Sequence, residues 1–405
     1  MAPYVIPVIP IIPISPADGL STAGALTSLP PLSLYVHFPW CVRKCPYCDF
    51  NSHEARGAIP EAAYLAALIA DLEQTLPLVW GRPVISVFIG GGTPSLLAPE
   101  AVDALLSAVR ARLTLLPDAE ITLEANPGTV EAGRFAAYRA AGVNRLSIGV
   151  QSLNPRHLAA LGRIHDAGEA RRAIEFALQH FDNVNLDLMY ALPGQTLEEA
   201  RSDIREAAAF GTSHLSAYHL TLEPNTAFYR APPPLPDADL AAQMQDTVEE
   251  ALAAHGYGHY EISAFARPGR ECRHNLNYWL FGDYLGIGAG AHGKVSQPDR
   301  ILRQMRHKHP QAYLQAAESG DAVQESHAVD IDERPFEFMM NALRLTAGFP
   351  ARLFAERTGL TLDAIRPQLD TAVARNLLEV GVERIAPTEH GRRFLNDLLQ
   401  LFLRS

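Results

Sequence analysis

Three of the four cysteines in this 405-residue chain lie within residues 41–48. They are Cys41, Cys45 and Cys48, and their spacing is C-x3-C-x2-C. Because thiolates bind soft metals, three of them in one short loop predict a metal centre. Three thiolates leave a four-coordinate site one ligand short, and an iron–sulfur cube held in this way keeps one iron open for a non-protein ligand. We therefore predict that these cysteines bind a [4Fe-4S] cluster.

Two other uses of the cysteines remain open from the sequence. A structural zinc site needs a fourth protein ligand, and the remaining cysteine, Cys272, lies far along the chain. A disulfide framework is a poor fit to an odd, closely spaced trio. Few and clustered cysteines suit a reducing compartment, so we expect a cytoplasmic protein.

Further polar residues interrupt apolar segments where strands are expected to end. The loop Gly90-Gly91-Gly92-Thr93-Pro94 lets the backbone approach a ligand closely, since glycine has no Cβ, and it lacks the G-K-[ST] of a nucleotide P-loop. Glu124, Gln151 and Asp187 interrupt later apolar runs. A buried polar group costs roughly 1–3 kcal/mol unless it is paired, so this pattern indicates a ligand at the strand ends.

These residues are separated by alternating strand and helix patterns. The predicted strands cover residues 34–38, 84–89, 120–125, 145–151, 184–189 and 214–220. The predicted helices cover residues 61–76, 99–115, 131–141, 169–180, 197–210 and 238–255. Such alternation indicates βαβ units and a parallel sheet, hence an α/β fold. In barrels of this kind the active-site residues lie at the carboxyl ends of the strands.

The string Y-V-H-F-P-W-C-V-R-K-C-P-Y-C-D-F-N-S-H, which begins at Tyr35, resembles the radical SAM superfamily. Within it, the string is more similar to the oxygen-independent coproporphyrinogen III oxidase-like family, and the resemblance covers nearly the whole chain from about Ser33. It implies an open six-stranded (β/α)6 partial TIM barrel as the radical SAM core. A C-terminal, mostly helical, winged-helix-like domain is expected to follow.

The resemblance also implies which residues bind S-adenosylmethionine (SAM). Any one of them has an alternative as a structural residue satisfied by its neighbours. The implied SAM-binding residues are Tyr35, Tyr47, Gly92, Thr93, Glu124, Gln151, Arg163, Asp187 and His292.

A second motif, H-N-x-x-Y-W, begins at His274 and is associated with heme handling in that family. Neutral imidazole is a good axial ligand for heme iron, Tyr278 and Trp279 offer flat faces to a porphyrin, and Arg273 offers a partner for a propionate. Two alternatives stay open. In the first, the His274-Asn275 pair has only a structural role and braces a turn. In the second, the heme ligand is Cys272, which would otherwise be an inert buried thiol.

Two functions of different classes fit these motifs. One is the oxygen-independent coproporphyrinogen III oxidase, and the other is a heme chaperone that binds heme and transfers it to an acceptor protein. The oxidases carry a further cysteine two positions after the third ligand, whereas here Cys48 is followed by Asp49 and Phe50. We therefore favour the chaperone, with a [4Fe-4S] cluster, SAM and heme as cofactors. Coproporphyrinogen oxidase activity is not expected, and a radical SAM enzyme with an unrelated substrate is a third possibility.

Composition and boundaries complete the prediction. The net charge of −11 argues against a nucleic-acid partner, and no apolar run is long enough to span a bilayer without interruption. The expected partners are heme and an unidentified acceptor protein, with transient membrane association left open.

A basic run at residues 304–309 is predicted to be a solvated loop. The predicted segments are a flexible proline-rich tail at 1–32, the radical SAM core at 33–266, a connecting region with the heme motif at 267–328, and the C-terminal domain at 329–405.

Overall fold

The structure is a computed structural model that describes residues 24–129 and 132–403. The predicted proline-rich tail lies outside the described residues as far as residue 23. Its last part is packed against the protein, because Leu26 is buried among residues of the C-terminal domain and its N–H donates to the carbonyl of Pro298 at 2.9 Å. The prediction of a flexible tail is therefore wrong for residues 24–32.

The described residues form seventeen strands and fifteen α-helices. The strands are β1 (Leu32–Phe38), β2 (Trp40–Cys41), β3 (His53–Glu54), β4 (Pro83–Gly91), β5 (Thr114–Ala125), β6 (Arg145–Gln151), β7 (Val184–Tyr190), β8 (His214–His219), β9 (Gly258–Glu261), β10 (Ala264–Ala266), β11 (Asp283–Ile287), β12 (His292–Ser296), β13 (Ile301–Arg306), β14 (Val323–Ala328), β15 (Phe349–Pro350), β16 (Leu378–Val380) and β17 (Arg384–Pro387). The helices are α1 (Glu61–Val79), α2 (Pro99–Arg112), α3 (Ala132–Ala141), α4 (Pro155–Ala160), α5 (Ala167–His180), α6 (Leu197–Ala209), α7 (Ala227–Arg230), α8 (Ala238–Ala254), α9 (Arg273–Trp279), α10 (Pro310–Glu318), α11 (Arg334–Ala342), α12 (Ala351–Thr358), α13 (Arg366–Ala374), α14 (Glu389–Arg393) and α15 (Leu395–Gln400). Short 3-10 helices lie at Pro94–Leu96, Pro127–Thr129 and Leu362–Ile365.

Twelve strands form one sheet in the order β14-β13-β12-β11-β1-β4-β5-β6-β7-β8-β10-β9. Its centre is the run β1-β4-β5-β6-β7-β8, in which every neighbouring pair is parallel. These are the six predicted strands, so the predicted α/β core is confirmed. Most positions in these strands are buried, as at Leu34, Val36 and Phe38 of β1, because helices cover parallel sheets on the outside.

The connecting helices also follow local signals. Asp166 begins α5 and Thr196 begins α6 with a capping box, in which side chain and backbone satisfy each other's hydrogen bonds. Helix α1 is long and apolar enough by composition to cross a membrane. Tyr64, Leu68 and Leu72 of this helix are nevertheless buried in the core under the sheet, which is typical of an internal helix.

The region predicted as a connector at 267–328 is part of the main sheet, which corrects that prediction. Strand β11 pairs in parallel with β1, and β12, β13 and β14 continue the sheet in antiparallel fashion. The basic run predicted as a solvated loop contains the end of β13. Arg306 there is fully buried, because it forms an ion pair with the buried Asp71 of α1 at 3.1 Å.

The C-terminal part is mostly helical, as predicted. Its elements follow the order helix, strand, helix, helix, strand, strand from α11 to β17, and the three strands pair as β15-β17-β16. Phe338, Phe349 and Phe354 pack edge to face at its centre. The last helical segment is divided at Phe394 into α14 and α15.

Candidate cofactor and heme site

The carboxyl ends of the parallel strands surround a cavity of about 340 Å³. The cysteine loop between β2 and β3 forms one wall of it. We call this space the cluster cavity. It is lined by all three predicted cluster ligands and by seven of the nine predicted SAM residues, namely Cys41, Cys45, Cys48, Tyr47, Gly92, Thr93, Glu124, Gln151, Arg163 and Asp187.

The three cysteines are free thiols, each partly exposed to this cavity. Burial raises the pKa of the Cys41 thiol and that of Cys48, and Arg163 Nη1 lies 3.4 Å from Cys45 Sγ as a donor. In the described part of the chain, no three Cys, His, Asp or Glu side chains converge on a single ion position. Three thiols on one wall of the cavity are the donor set of an iron–sulfur cube, in which each thiolate binds a different iron.

Cys272 does not line the cluster cavity. Its thiol is fully buried and donates to Glu120 Oε1 at 3.4 Å. Burial raises the pKa of this thiol to about 12, which disfavours the thiolate that a metal needs. The zinc alternative and the alternative of Cys272 as heme ligand both lack support from this geometry.

The glycine loop after β4 is pressed against the start of the cysteine loop. The Gly92 N–H donates to the carbonyl of Phe38 at 2.7 Å, and the Thr93 N–H donates to that of Trp40 at 2.8 Å. A Cβ at Gly92 would lie 2.5 Å from the Trp40 carbonyl oxygen. Only glycine permits this approach, which fixes the backbone of the loop at the wall of the cavity.

Two half-buried carboxyl groups face the cluster cavity without a salt bridge among the described residues. Glu124 Oε2 accepts the N–H of Gly91 at 3.0 Å, and Asp187 accepts hydrogen bonds from Ser147 and Asn185, each at 2.9 Å. Burial, with repulsion from Asp187, raises the pKa of Glu124 to about 8. Burial also raises the pKa of Asp187. Such a pair favours a cationic ligand, because a cation makes ionisation of the carboxyl groups favourable.

Replacing Glu124 with glutamine is expected to stabilise the protein at alkaline pH and not at pH 5. An unfolded glutamate loses its proton near pH ~4.3, whereas the folded protein keeps the proton on Glu124 up to about pH 8. The unfolded state therefore becomes relatively more favourable as pH rises through this window. The gain in melting temperature of E124Q over wild type should grow from pH 5 to pH 8 and then level off.

The matched control is E223Q, at a half-buried glutamate on the rim of the same cavity. Its melting temperature should differ from wild type by a similar amount at every pH. An E124Q difference that is equally independent of pH would contradict the protonated state of Glu124.

Gln151 and Arg163 complete the far wall. Gln151 ends β6 with a φ of 67°, a conformation that costs a non-glycine residue on the order of 1–3 kcal/mol and occurs often at functional sites. Arg163 Nη2 donates to the Gly149 carbonyl at 2.8 Å and to the Asn126 side chain. The guanidinium is thereby held in place between the strand ends and Cys45.

A second cavity of about 490 Å³ adjoins the first. It shares Phe50, Gly91 and Glu124 with the cluster cavity, and we call it the aromatic cavity. It also contains Tyr35 and His292, so these two predicted SAM residues lie here, and their contact with SAM stays a prediction. The aromatic and histidine residues that line it are Tyr35, His37, Phe50, Phe88, His274, Tyr278, Trp279, Tyr284 and His292.

His274 lies in the first turn of α9 and faces the aromatic cavity. Its Nδ1 bonds to Ser86 Oγ at 3.1 Å, and its backbone N–H donates to Glu120 Oε1 at 3.1 Å. Nε2 has no hydrogen-bond partner among the described residues. Burial lowers the pKa of this imidazole to about 3, so it is neutral at physiological pH. A neutral ring held through one nitrogen, with the other nitrogen available, is the arrangement of a metal-binding histidine.

Sequence reasoning missed two residues of the aromatic cavity, His37 and Asn51. His37 bonds through both ring nitrogens, to the Tyr35 hydroxyl and to the Asn51 carbonyl, each at 2.9 Å. Asn51 Nδ2 donates to the carbonyls of Ala289 and Lys308, each at 2.9 Å. The end of the cysteine loop is thus fastened to the strands around the aromatic cavity. The signal in the sequence was a histidine inside the apolar run of β1.

Other predicted heme contacts require correction. Arg273 does not line the aromatic cavity, since its Nη1 bonds to Asp118 Oδ2 at 3.1 Å at the surface. The rings of Tyr278 and Trp279 are perpendicular, with an interplanar angle of 89°. Only one of the two rings is therefore able to lie flat on a single porphyrin, and the Arg344 guanidinium already covers Trp279 at 4.3 Å.

Comparison with known proteins agrees with this geometry. The model for the radical SAM superfamily matches residues 35–207, and the model for the HemN C-terminal domain matches residues 329–394. Among solved structures, coproporphyrinogen III oxidase (HemN) from Escherichia coli, a radical SAM enzyme, is similar with a TM-score of 0.80 and 25% identity, over 92% of this chain and 90% of that one.

Curated relatives are more similar still. The heme chaperone HemW from Escherichia coli is 52% identical, over 93% of this chain and 100% of the relative. HemW from Haemophilus influenzae is 47% identical over 93% of this chain and 99% of the relative, and HemW from Bacillus subtilis is 35% identical over 92% and 99%. The parallel sheet with its cysteine loop defines a radical SAM protein. Within that superfamily, the chain belongs to the HemW family.

Proposed function

We propose that this protein binds heme in the aromatic cavity through His274 and passes it to an acceptor protein. The observation that carries the proposal is the neutral imidazole of His274, with Nε2 available, in a cavity lined by aromatic rings. Such a cavity accepts a flat, largely apolar porphyrin. The names of the relatives, which are heme chaperones, support the same function for this chain.

The proposed resident cofactors are a [4Fe-4S] cluster and SAM in the cluster cavity. Cys41, Cys45 and Cys48 would hold the cluster, which when bound supplies redox chemistry at an iron with an open coordination position. Glu124 and Asp187 would bind the cationic and hydroxylated parts of SAM. Arg163 would donate a hydrogen bond to the Cys45 sulfur. The role of the protein in this cavity is to bind and orient these groups.

The alternative function is coproporphyrinogen oxidation, which the overall similarity to HemN favours. The composition of the cysteine loop opposes it. Phe50 stands where the oxidases carry a further cysteine, and its side chain is 60% exposed. We therefore propose the chaperone function for this chain.

The wider assignments rest on this function. We infer a cytoplasmic protein from the free, clustered cysteines. The partners that follow from the proposed function are heme and an acceptor protein. The net charge of −11 is unsuited to nucleic acid. We propose that the core extends through β14 and includes the heme motif, and that the C-terminal domain begins near residue 329.

Two measurements on one anaerobic sample test the function. Titration with heme should give a saturable Soret band at about one heme per chain, because the proposal places one porphyrin in the aromatic cavity on His274. The same sample should not decarboxylate coproporphyrinogen III when SAM and a reductant are supplied. Transfer of the bound heme to apomyoglobin, used as a probe acceptor, should follow.

Robust decarboxylation would replace the chaperone by the oxidase. A sample that neither binds heme nor decarboxylates would contradict both functions. A matched positive control is HemN from Escherichia coli under the same conditions.

A further inference from the structure

The partition between the two cavities consists of three residues, Phe50, Gly91 and Glu124. Gly91 has a φ of 116°, and a Cβ there would lie 2.6 Å from the His37 ring, so this position has no room for a side chain. Glu124 is half-buried, and its Oε2 accepts a hydrogen bond from the Gly91 N–H at 3.0 Å. The outer part of the partition is therefore formed by one ring, that of Phe50.

The backbone of Phe50 is fixed, whereas its ring has no partner. The Phe50 carbonyl accepts hydrogen bonds from Lys44 Nζ at 3.0 Å and from the Ser52 N–H at 2.7 Å. The next residue, Asn51, is fastened to the strands around the aromatic cavity. The ring itself is 60% exposed and makes no ring contact within the described part of the chain. Because this exposed ring lines both cavities and its backbone is fixed, it is available for contact with a ligand in either cavity.

We propose that Phe50 is the residue that keeps porphyrin and SAM in separate cavities, with its ring packed against the porphyrin. The inference rests on the proposed heme binding. Two consequences follow from the geometry. The ring adds contact area and stacking to the bound porphyrin, and its bulk prevents the macrocycle from entering the cluster cavity. The two ligands then bind independently of each other.

Two substitutions separate these consequences. F50L keeps a bulky side chain in the partition but removes the aromatic ring, whereas F50A removes both. An aromatic contact of this kind corresponds to roughly a three- to tenfold change in affinity, so both variants should bind heme that much more weakly than wild type. S-adenosylhomocysteine, a probe for the SAM position, should compete with heme only in F50A, because only there are the cavities joined.

The experiment measures the heme dissociation constant of the cluster-loaded protein by the Soret band, with and without saturating S-adenosylhomocysteine. Iron content is measured for every variant, so that a damaged cluster loop is recognised and such a sample is reconstituted before the titration. The matched control is F394A, since Phe394 is a similarly exposed phenylalanine, 49% exposed, in the C-terminal domain and outside both cavities. It should bind heme as wild type does.

Weaker heme binding in both variants together with competition in F50A alone supports the inference. Wild-type affinity in F50A and F50L overturns it, and so does absence of competition in F50A or its presence in wild type. If wild type binds no heme at all, the proposed function fails and this inference fails with it. If wild type binds heme and only the Phe50 variants behave otherwise than stated, the chaperone function stands.

Discussion

Replacing Cys41, Cys45 and Cys48 together with alanine should reduce the iron content after anaerobic reconstitution from about four atoms per chain to none. The three thiols line one cavity, and the fourth cysteine, Cys272, lies outside it. No partial cluster should therefore survive the triple substitution. Iron and sulfide analysis, with the absorption spectrum, measures the effect.

The matched control is C272A. This thiol is buried against Glu120 at 3.4 Å and is not part of the cavity wall, so the variant should retain about four irons. A triple variant that keeps its cluster would exclude these ligands. Loss of metal in C272A, or zinc in place of iron in the wild-type protein, would restore the zinc alternative.

Replacing His274 with alanine should shift the Soret band of bound heme and weaken heme binding strongly. Loss of a group that only orients a metal ligand lowers metal affinity roughly 10- to 100-fold, and removal of the ligand itself should cost at least as much. Free imidazole should enter the space left by the side chain and restore much of the wild-type spectrum. Heme titration of the variant, with and without imidazole, measures both effects.

His292 provides the comparison, because it lines the same cavity but is exposed. H292A should leave the Soret band in place. An unchanged spectrum in H274A, or the expected shift in H292A instead, would remove the assignment of His274 as axial ligand.

The core of the fold follows from local sequence, and this explains why its prediction is confirmed. Each of the six parallel strands is an apolar run next to an amphipathic helix, and each run contains enough information to be identified alone. The cysteine spacing and the polar interruptions at Glu124, Gln151 and Asp187 likewise identified the cluster cavity, because strand ends in a parallel sheet converge on one edge.

The rest depends on contacts between distant residues. Strand β11 pairs with β1 across about 250 residues, and no local pattern reports such a pairing. Arg306 has the sequence context of a surface loop, but the buried carboxylate of Asp71 makes it part of the interior. The sequence also did not show that Tyr35 and His292 lie in the aromatic cavity. The two cavities adjoin each other, and the motifs do not distinguish between them.

The parallel pairing of β11 with β1 bears on how the protein is divided into modules. A truncation after β10 would remove α9 and β11 and leave the apolar strand β1 as an open edge, which is prone to aggregation. The cysteine loop begins two residues after β1, so the same truncation would disturb its support. The same truncation would remove His274, Tyr278 and Trp279 of α9, so it would open the aromatic cavity as well as disturb the cysteine loop.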